Sequence, residues 1–244
     1  TVQRAPLMTG RIPGACRAGV DCRVVRLPTS SHPSASWRHP AFWGRVGQFV
    51  LGLMGMGLGI ATMLEAGVGV GPWAVFHDGI ARVTPLTFGQ ALMAVGVAVL
   101  GLAWLWTGER PGPGTFVNMV VVGPSVDLFR ASGWLPVQEA LGPGIVQALI
   151  GVAIIGLASG GYITVRFGAG PRDAFVLGLS RLAGWSIRRT RTTVELVVLA
   201  IGVALGGSAG LGTLLFAVSI GPSMQTSLRL FRALRPPPLA TPGD

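Results

Sequence analysis

The sequence predicts an all-α, polytopic helical membrane protein made of two homologous halves, and three observations predict it. Charged residues are 11% of the 244, against about 25% in a soluble domain, and the mean hydropathy is +0.61. The apolar runs, such as 91–106 and 194–205, are continuous rather than alternating. That selects helices over a closed barrel, the two structures that satisfy their own backbone in lipid. Short motifs also occur twice. Gly69-Val70-Gly71-Pro72 returns 99 residues on as Gly168-Ala169-Gly170-Pro171. Gly112-Pro113-Gly114-Thr115 returns as Gly210-Leu211-Gly212-Thr213, and Gly123-Pro124-Ser125 as Gly221-Pro222-Ser223, each shifted by 98.

Residues 1–40 are rich in Arg, Pro and Ser and read as a disordered basic tail. Its two cysteines, Cys16 and Cys22, give only a weak metal or disulfide signal, so no metal or cofactor is expected. The first apolar run begins near Phe42 and is long enough to span, which argues against a cleaved signal peptide.

The first repeat covers 41–130. Its first span, 42–64, contains Gly55 and Gly59 at the spacing that lets helices approach closely. The Gly-Pro break follows, and then a short segment at 73–83. Eleven residues cover roughly 16 Å, half a bilayer. Pro85 ends the segment; a second span runs over 88–107 and a third over 115–129, interrupted at Gly123-Pro124. After a linker at 131–142, the second repeat (143–231) replays the plan with spans at 144–165, 192–205 and 211–230. Its short segment is 172–185, its last span is interrupted at Gly221-Pro222, and 232–244 form a C-terminal tail. Each half therefore has three long spans and one short or re-entrant helix. Trp104, Trp106, Trp134 and Trp185 lie near span ends, where aromatic anchors collect.

The formal charge is +10, and every basic residue is Arg. The arginines sit in tails and loops beside apolar spans, which fits cytoplasmic anchoring and not nucleic acid. If the short segments do not cross, the halves are inverted; if they cross, the halves are parallel. Both versions place the termini and Arg188, Arg189 and Arg191 in the cytoplasm. They differ at Arg82 and Arg130, outside in the inverted version, and at Arg110, Arg166 and Arg172, inside in it. The inverted version is favoured, because a segment carrying His77 and Asp78 is a poor independent span.

The pattern G-x-G-P-(W or R)-(A or D)-x-F, followed by G-x-G-T and a late G-P, resembles the YczE/YyaS/YitT group of bacterial integral membrane proteins, and most closely its YczE-like branch. The stretches that carry it are 69–82, 112–129, 168–181 and 210–223. The resemblance implies a bacterial inner-membrane location and a duplicated helical fold, and it implies no catalytic residues. The soluble C-terminal domain of the YitT-like branch has no counterpart after the last span, and the basic N-terminal tail is not part of the family pattern.

Chemistry is expected first at the two Gly-x-Gly-Pro breaks. Proline in the first helical turn loses no hydrogen bond, and glycines before it let the chain bend. Each short helix would then begin in or near the bilayer with free N–H groups and a positive dipole end, which attracts an anion. The candidate substrate-binding residues are Gly69, Gly71, Pro72, His77 and Asp78 with Gly168, Gly170, Pro171, Arg172 and Asp173. Arg172 and Asp173 stand where the first half has Trp73 and Ala74. The competing reading makes the breaks packing kinks and Arg172 a snorkelling or salt-bridged arginine. Glu65, Asp127 and Glu195 are candidates for proton coupling, but each lies near a span end, where a solvated position accounts for it. Asp127 and Arg130, three residues apart, are expected to neutralise each other. Gly123, Pro124, Gly221 and Pro222 are candidate hinges.

No nucleophile-and-base motif is present, and His77 is the one histidine outside the tail, so the chain is not expected to be an enzyme. The expected function is a small-solute transporter or permease for an anionic or zwitterionic solute. The alternative is an accessory protein that stabilises or localises a partner enzyme or complex. Beyond the lipid bilayer, the candidate partners are another copy of the chain or a membrane protein. Transport requires Arg172 to point into a cavity shared by the halves; the accessory role predicts no such cavity and Arg172 at the headgroups.

Overall fold

The computed structural model describes residues 40–107, 112–165, 167 and 170–233. These form eight α-helices: α1 (Pro40–Glu65), α2 (Pro72–Val83), α3 (Phe88–Thr107), α4 (Pro113–Ala131), α5 (Leu141–Ile163), α6 (Pro171–Ala183), α7 (Ile187–Ala204) and α8 (Leu211–Ala233). The expected segments are all present. Three of the six long helices (α1, α3 and α5) are both long and apolar enough to cross a membrane. The other three have the length, but polar side chains dilute them: Asp127 and Arg130 in α4, the Arg188–Glu195 stretch in α7, and the Ser, Gln and Thr residues of α8.

The helices make two groups. The larger core lies between α1, α4 and α5, with Phe49, Leu53, Met63, Val126 and Val152 at its centre. α8 covers the far side of α5. The second core joins α2, α3, α6 and α7 around Trp73, Val95, Val176, Val194 and Val198. α3 and α4 pack together and link the groups.

Small residues set the directions. A Cβ on Gly52 would lie 2.9 Å from the Tyr162 backbone nitrogen, and one on Gly59 would lie 2.8 Å from the Gly151 carbonyl. Gln48 Nε2 donates to the Gly161 carbonyl, and Gln147 Nε2 to the Thr62 carbonyl. α1 and α5 therefore run antiparallel. α4 runs parallel to α1, with Gly57 against Ser125, and α8 runs parallel to α5, with Gly156 against Ser223.

Two expectations need correction. The helices do not break at Gly123-Pro124 or Gly221-Pro222; α4 and α8 continue through both prolines. A proline inside a helix removes one hydrogen bond, which long flanking turns can absorb. Asp127 and Arg130 do not pair either. Arg130 Nε reaches across to Glu65 Oε1 at 2.6 Å. Asp127 instead accepts from the Thr87 hydroxyl at 2.5 Å and the Gly89 N–H at 2.9 Å. A carboxylate of α4 thus caps the Gly89 amide at the start of α3, a better partner than a surface arginine one turn away.

These contacts gather Glu65, Arg130, Asp127, Thr87 and Phe88 at one end of the bundle. The chain leaves α1 there and enters α3 there, so the segment that carries α2 begins and ends at a single end of the bundle. Trp104, Trp106, Trp134 and Trp185 are all exposed, as anchors would be.

Candidate paired helix-start site

Each Gly-x-Gly-Pro break is held by the Gly-x-Gly-Thr turn of the other half. The Gly212 N–H donates to the Val68 carbonyl at 2.7 Å, and the Gly114 N–H donates to the Phe167 carbonyl at 3.2 Å. The two bonds stand in matching places of the two halves. Gly69 has φ +109°, a left-handed conformation that favours glycine, and a Cβ there would meet the Gly210 nitrogen at 2.5 Å. A Cβ on Gly71 would strike the Phe216 ring at 2.8 Å. The glycines let the break pass close to α8. Gly168 lies outside the described residues.

Beyond the breaks, Pro72 and Pro171 open α2 and α6. The first intrahelical bond of α2 runs from the Val75 N–H to the Gly71 carbonyl at 2.9 Å, so the Trp73 and Ala74 amides precede it. α2 has no acid in its first turn, whereas α6 has Asp173. The two helix starts meet: the Arg172 guanidinium lies over the Trp73 ring, 5.0 Å from its centroid. Trp73 is buried in the second core, and a Cβ on Gly96, in the middle of α3, would come within 3.9 Å of Pro171 Cγ. Arg172 is thus a half-buried residue stacked on a buried aromatic face, a cation–π arrangement. Among the described residues it makes no ion pair or hydrogen bond. Its electrostatic neighbours are Tyr162, Asp173, Glu195 and Arg191.

The other candidates divide. His77 is 1% exposed and sits among the rings of Trp73, Phe76 and Phe88; its Nδ1 finds no partner among the described residues. Trp73 therefore has Arg172 on one side and His77 nearby. Asp78 does other work. Its Oδ2 accepts from the Ser208 N–H at 2.8 Å and from Arg82 Nε at 3.0 Å, while Arg82 Nη2 donates to the Ser208 hydroxyl at 2.9 Å. This group pins α2 to the turn between α7 and α8, away from Arg172. Asp173 lies 3.9 Å from Arg191, which also holds Glu195 at 3.2 Å. Arg191 was not legible as a site residue, because in sequence it is one of a cluster of interfacial arginines. Two surface depressions lie elsewhere: about 170 Å³ beside Gly67 and Gln138, and about 280 Å³ between Ile145 and Val218.

The family model matches residues 43–229, a range that contains both Gly-Pro breaks and both Gly-Thr turns. The chain belongs to the family of unknown function DUF6198. It is similar to the "Uncharacterized membrane protein YczE" of Bacillus subtilis (strain 168), with 31% identity over 74% of this chain and 83% of that protein. An "Uncharacterized protein" of Haemophilus influenzae is 33% identical over 83% of this chain and 93% of its own length. The "Uncharacterized protein YyaS" of B. subtilis is 26% identical over 68% of this chain and 83% of its own. No solved structure matches. This member of DUF6198 is thus a YczE-like membrane protein.

Proposed function

We propose that this protein is a transporter for a small anionic or zwitterionic solute in the bacterial inner membrane, with no catalytic step of its own. The observation that carries this reading is the meeting of the two helix starts in the interior, with Arg172 stacked on Trp73 and no acid in the first turn of α2. An arginine and a free helix start present an anion with two complementary donors. Intramembrane charges mark solute and ion pathways by default. The accessory role predicts no shared cavity and Arg172 at the headgroups; the stacking of Arg172 on a buried tryptophan supports the transport reading.

The halves are taken as inverted repeats. The antiparallel course of α1 and α5 and the matching bonds of Gly114 and Gly212 support this. Transporters built this way bind their solute at the repeat interface. The arginines set the orientation. At the Glu65 end stand Arg82 and Arg130, each paired with an acid. At the other end stand Arg45, Arg181, Arg188, Arg189, Arg191 and Arg229. By the positive-inside rule that end, with both termini, is cytoplasmic. The proline-weakened turns at Gly123-Pro124 and Gly221-Pro222 serve as hinges within continuous helices.

The test is thermal unfolding of the purified protein against a panel of inorganic anions, carboxylates and amino acids, in parallel with Arg172→Gln. A ligand at 100 times its Kd stabilises by about 2.7 kcal/mol. The reading expects at least one compound to raise the Tm of the native chain in a concentration-dependent way and to leave the variant unmoved. No shift across the panel, or equal shifts in both proteins, refutes it.

A further inference from the structure

The halves differ at one contact. α3 closes on α4: a Cβ on Gly123 would lie 2.7 Å from the Gly89 carbonyl, and one on Gly96 would lie 2.7 Å from Met119 Sδ. The counterpart helices α7 and α8 do not close in this way. Gly221, the counterpart of Gly123, would have nothing within 4 Å of its Cβ. Met119 and Gly123 are buried, whereas their counterpart Ala217 is exposed and Gly221 half-buried. The sequence explains the difference. Where α3 offers Leu92 and Gly96, α7 carries Arg191 and Glu195, 99 positions later.

Arg191 and Glu195 decide what fills the opening. Their side chains are 54% and 39% exposed. Glu195 lies about 12 Å along α7, at a rise of 1.5 Å per residue. One turn further on, Leu199 packs on the larger core, as do Phe216 and Ile220 of α8. The charged face of α7 therefore turns toward the α8 side. A carboxylate at that depth, with Arg191 one turn nearer the end, would be costly against acyl chains, and such groups face protein or a water-filled cavity. They also join the site: Arg191 reaches Asp173, the neighbour of Arg172.

We infer that the gap between α7 and α8 is a water-filled vestibule, open at the cytoplasmic end, through which a solute reaches Arg172. The inference rests on the transport reading. The vestibule is closed at the Glu65 end, where Asp78 and Arg82 hold Ser208 and the Gly212 N–H bonds Val68.

The experiment is cysteine labelling in inside-out membrane vesicles, using the full chain with Cys16 and Cys22 replaced by serine. Gly221→Cys has open space around it and should fold. Leu157→Cys, 51% exposed on α5 and within a turn of the level of Gly221, is the lipid-facing comparison. A charged, membrane-impermeant methanethiosulfonate should label Gly221→Cys at least tenfold faster than Leu157→Cys. Absence of labelling at Gly221→Cys, with an unchanged Tm, means a lipid-filled gap and overturns the inference. So does equal labelling at both positions, or labelling only from the opposite membrane face. The ligand panel with Arg172→Gln reports on the transport reading separately, so the two can fail independently.

Discussion

Alanine at Gly123 and at Gly221 should have opposite effects on stability, although the two positions share their neighbours in sequence. Both lie inside a helix and directly before a proline. Gly→Ala in a helix gains about 0.8–1 kcal/mol from propensity, and the restriction that a following proline places on the new side chain applies equally to both. Those shared terms cancel in the difference. What remains is the space around the new methyl. At Gly123 it would sit 2.7 Å from the Gly89 carbonyl oxygen and 3.0 Å from Met93 Cγ. The methionine can give way, but the carbonyl belongs to a helix backbone and cannot. Overpacking of this kind costs about 1–3 kcal/mol. At Gly221 there is nothing to meet. Gly221→Ala should therefore be neutral to slightly stabilising, and Gly123→Ala less stable than it by about 1–3 kcal/mol. Thermal unfolding in one detergent reads the difference directly, at about 2–4 °C per kcal/mol for a chain of this size. Equal melting temperatures, or a lower one for Gly221→Ala, would show that α8 is as closely covered as α4, and the asymmetry between the halves would disappear.

Further outcomes follow from the polar groups. Asp127→Ala leaves the Gly89 N–H without its acceptor and should cost about 1–2 kcal/mol. A double-mutant cycle should give no coupling between Asp127 and Arg130, and about 0.2–1 kcal/mol between Glu65 and Arg130; the reverse pattern would restore the pairing read from sequence. His77→Leu deletes a buried nitrogen that has no partner among the described residues, so the Tm should hold or rise. A fall of more than about 1 kcal/mol in unfolding free energy would reveal a bond made by that nitrogen. If His77 also serves the solute, the ligand-induced Tm shift should shrink in the same variant.

The helices were legible because lipid permits few alternatives: a run of apolar residues of sufficient length, bounded by Gly and Pro, is a helix with known ends. The repeat motifs were legible as punctuation, but their purpose was not. Nothing in Gly210-Leu211-Gly212-Thr213 says that the Gly212 amide will bond Val68, because that bond joins residues 144 apart. Charged partners were the least legible. Asp127 was assigned to Arg130 by proximity along the helix, yet the fold brings it the Gly89 amide at the start of α3, which has greater need of an acceptor. Asp78 stood beside His77 in the sequence and was grouped with it, but adjacent helix residues point about 100° apart. His77 enters the aromatic cluster while Asp78 turns to Ser208. Arg172 was picked out because its counterpart is Trp73, and the structure stacks those two residues on each other.

That stacking bears on how a two-fold design could work. In a strictly symmetric pair, exchanging the conformations of the halves would open the Glu65 end between α3 and α4, as the inferred vestibule opens the other end between α7 and α8. The surfaces exposed there would be Gly89, Met93 and Gly96, with Asp127 at their outer edge and no charged pair at the depth of Gly96. Opening would also free Asp127 from the Thr87 hydroxyl and the Gly89 N–H, and would loosen the Asp78 hold on Ser208. Hydrogen bonds to a charged group contribute about 1.5–3 kcal/mol each. On the transport reading, the protein therefore rests open to the cytoplasm. A solute shifts that balance only if it binds the other form more tightly. The residues that can supply such a preference are those where the halves differ, with Arg172 over Trp73 at their centre.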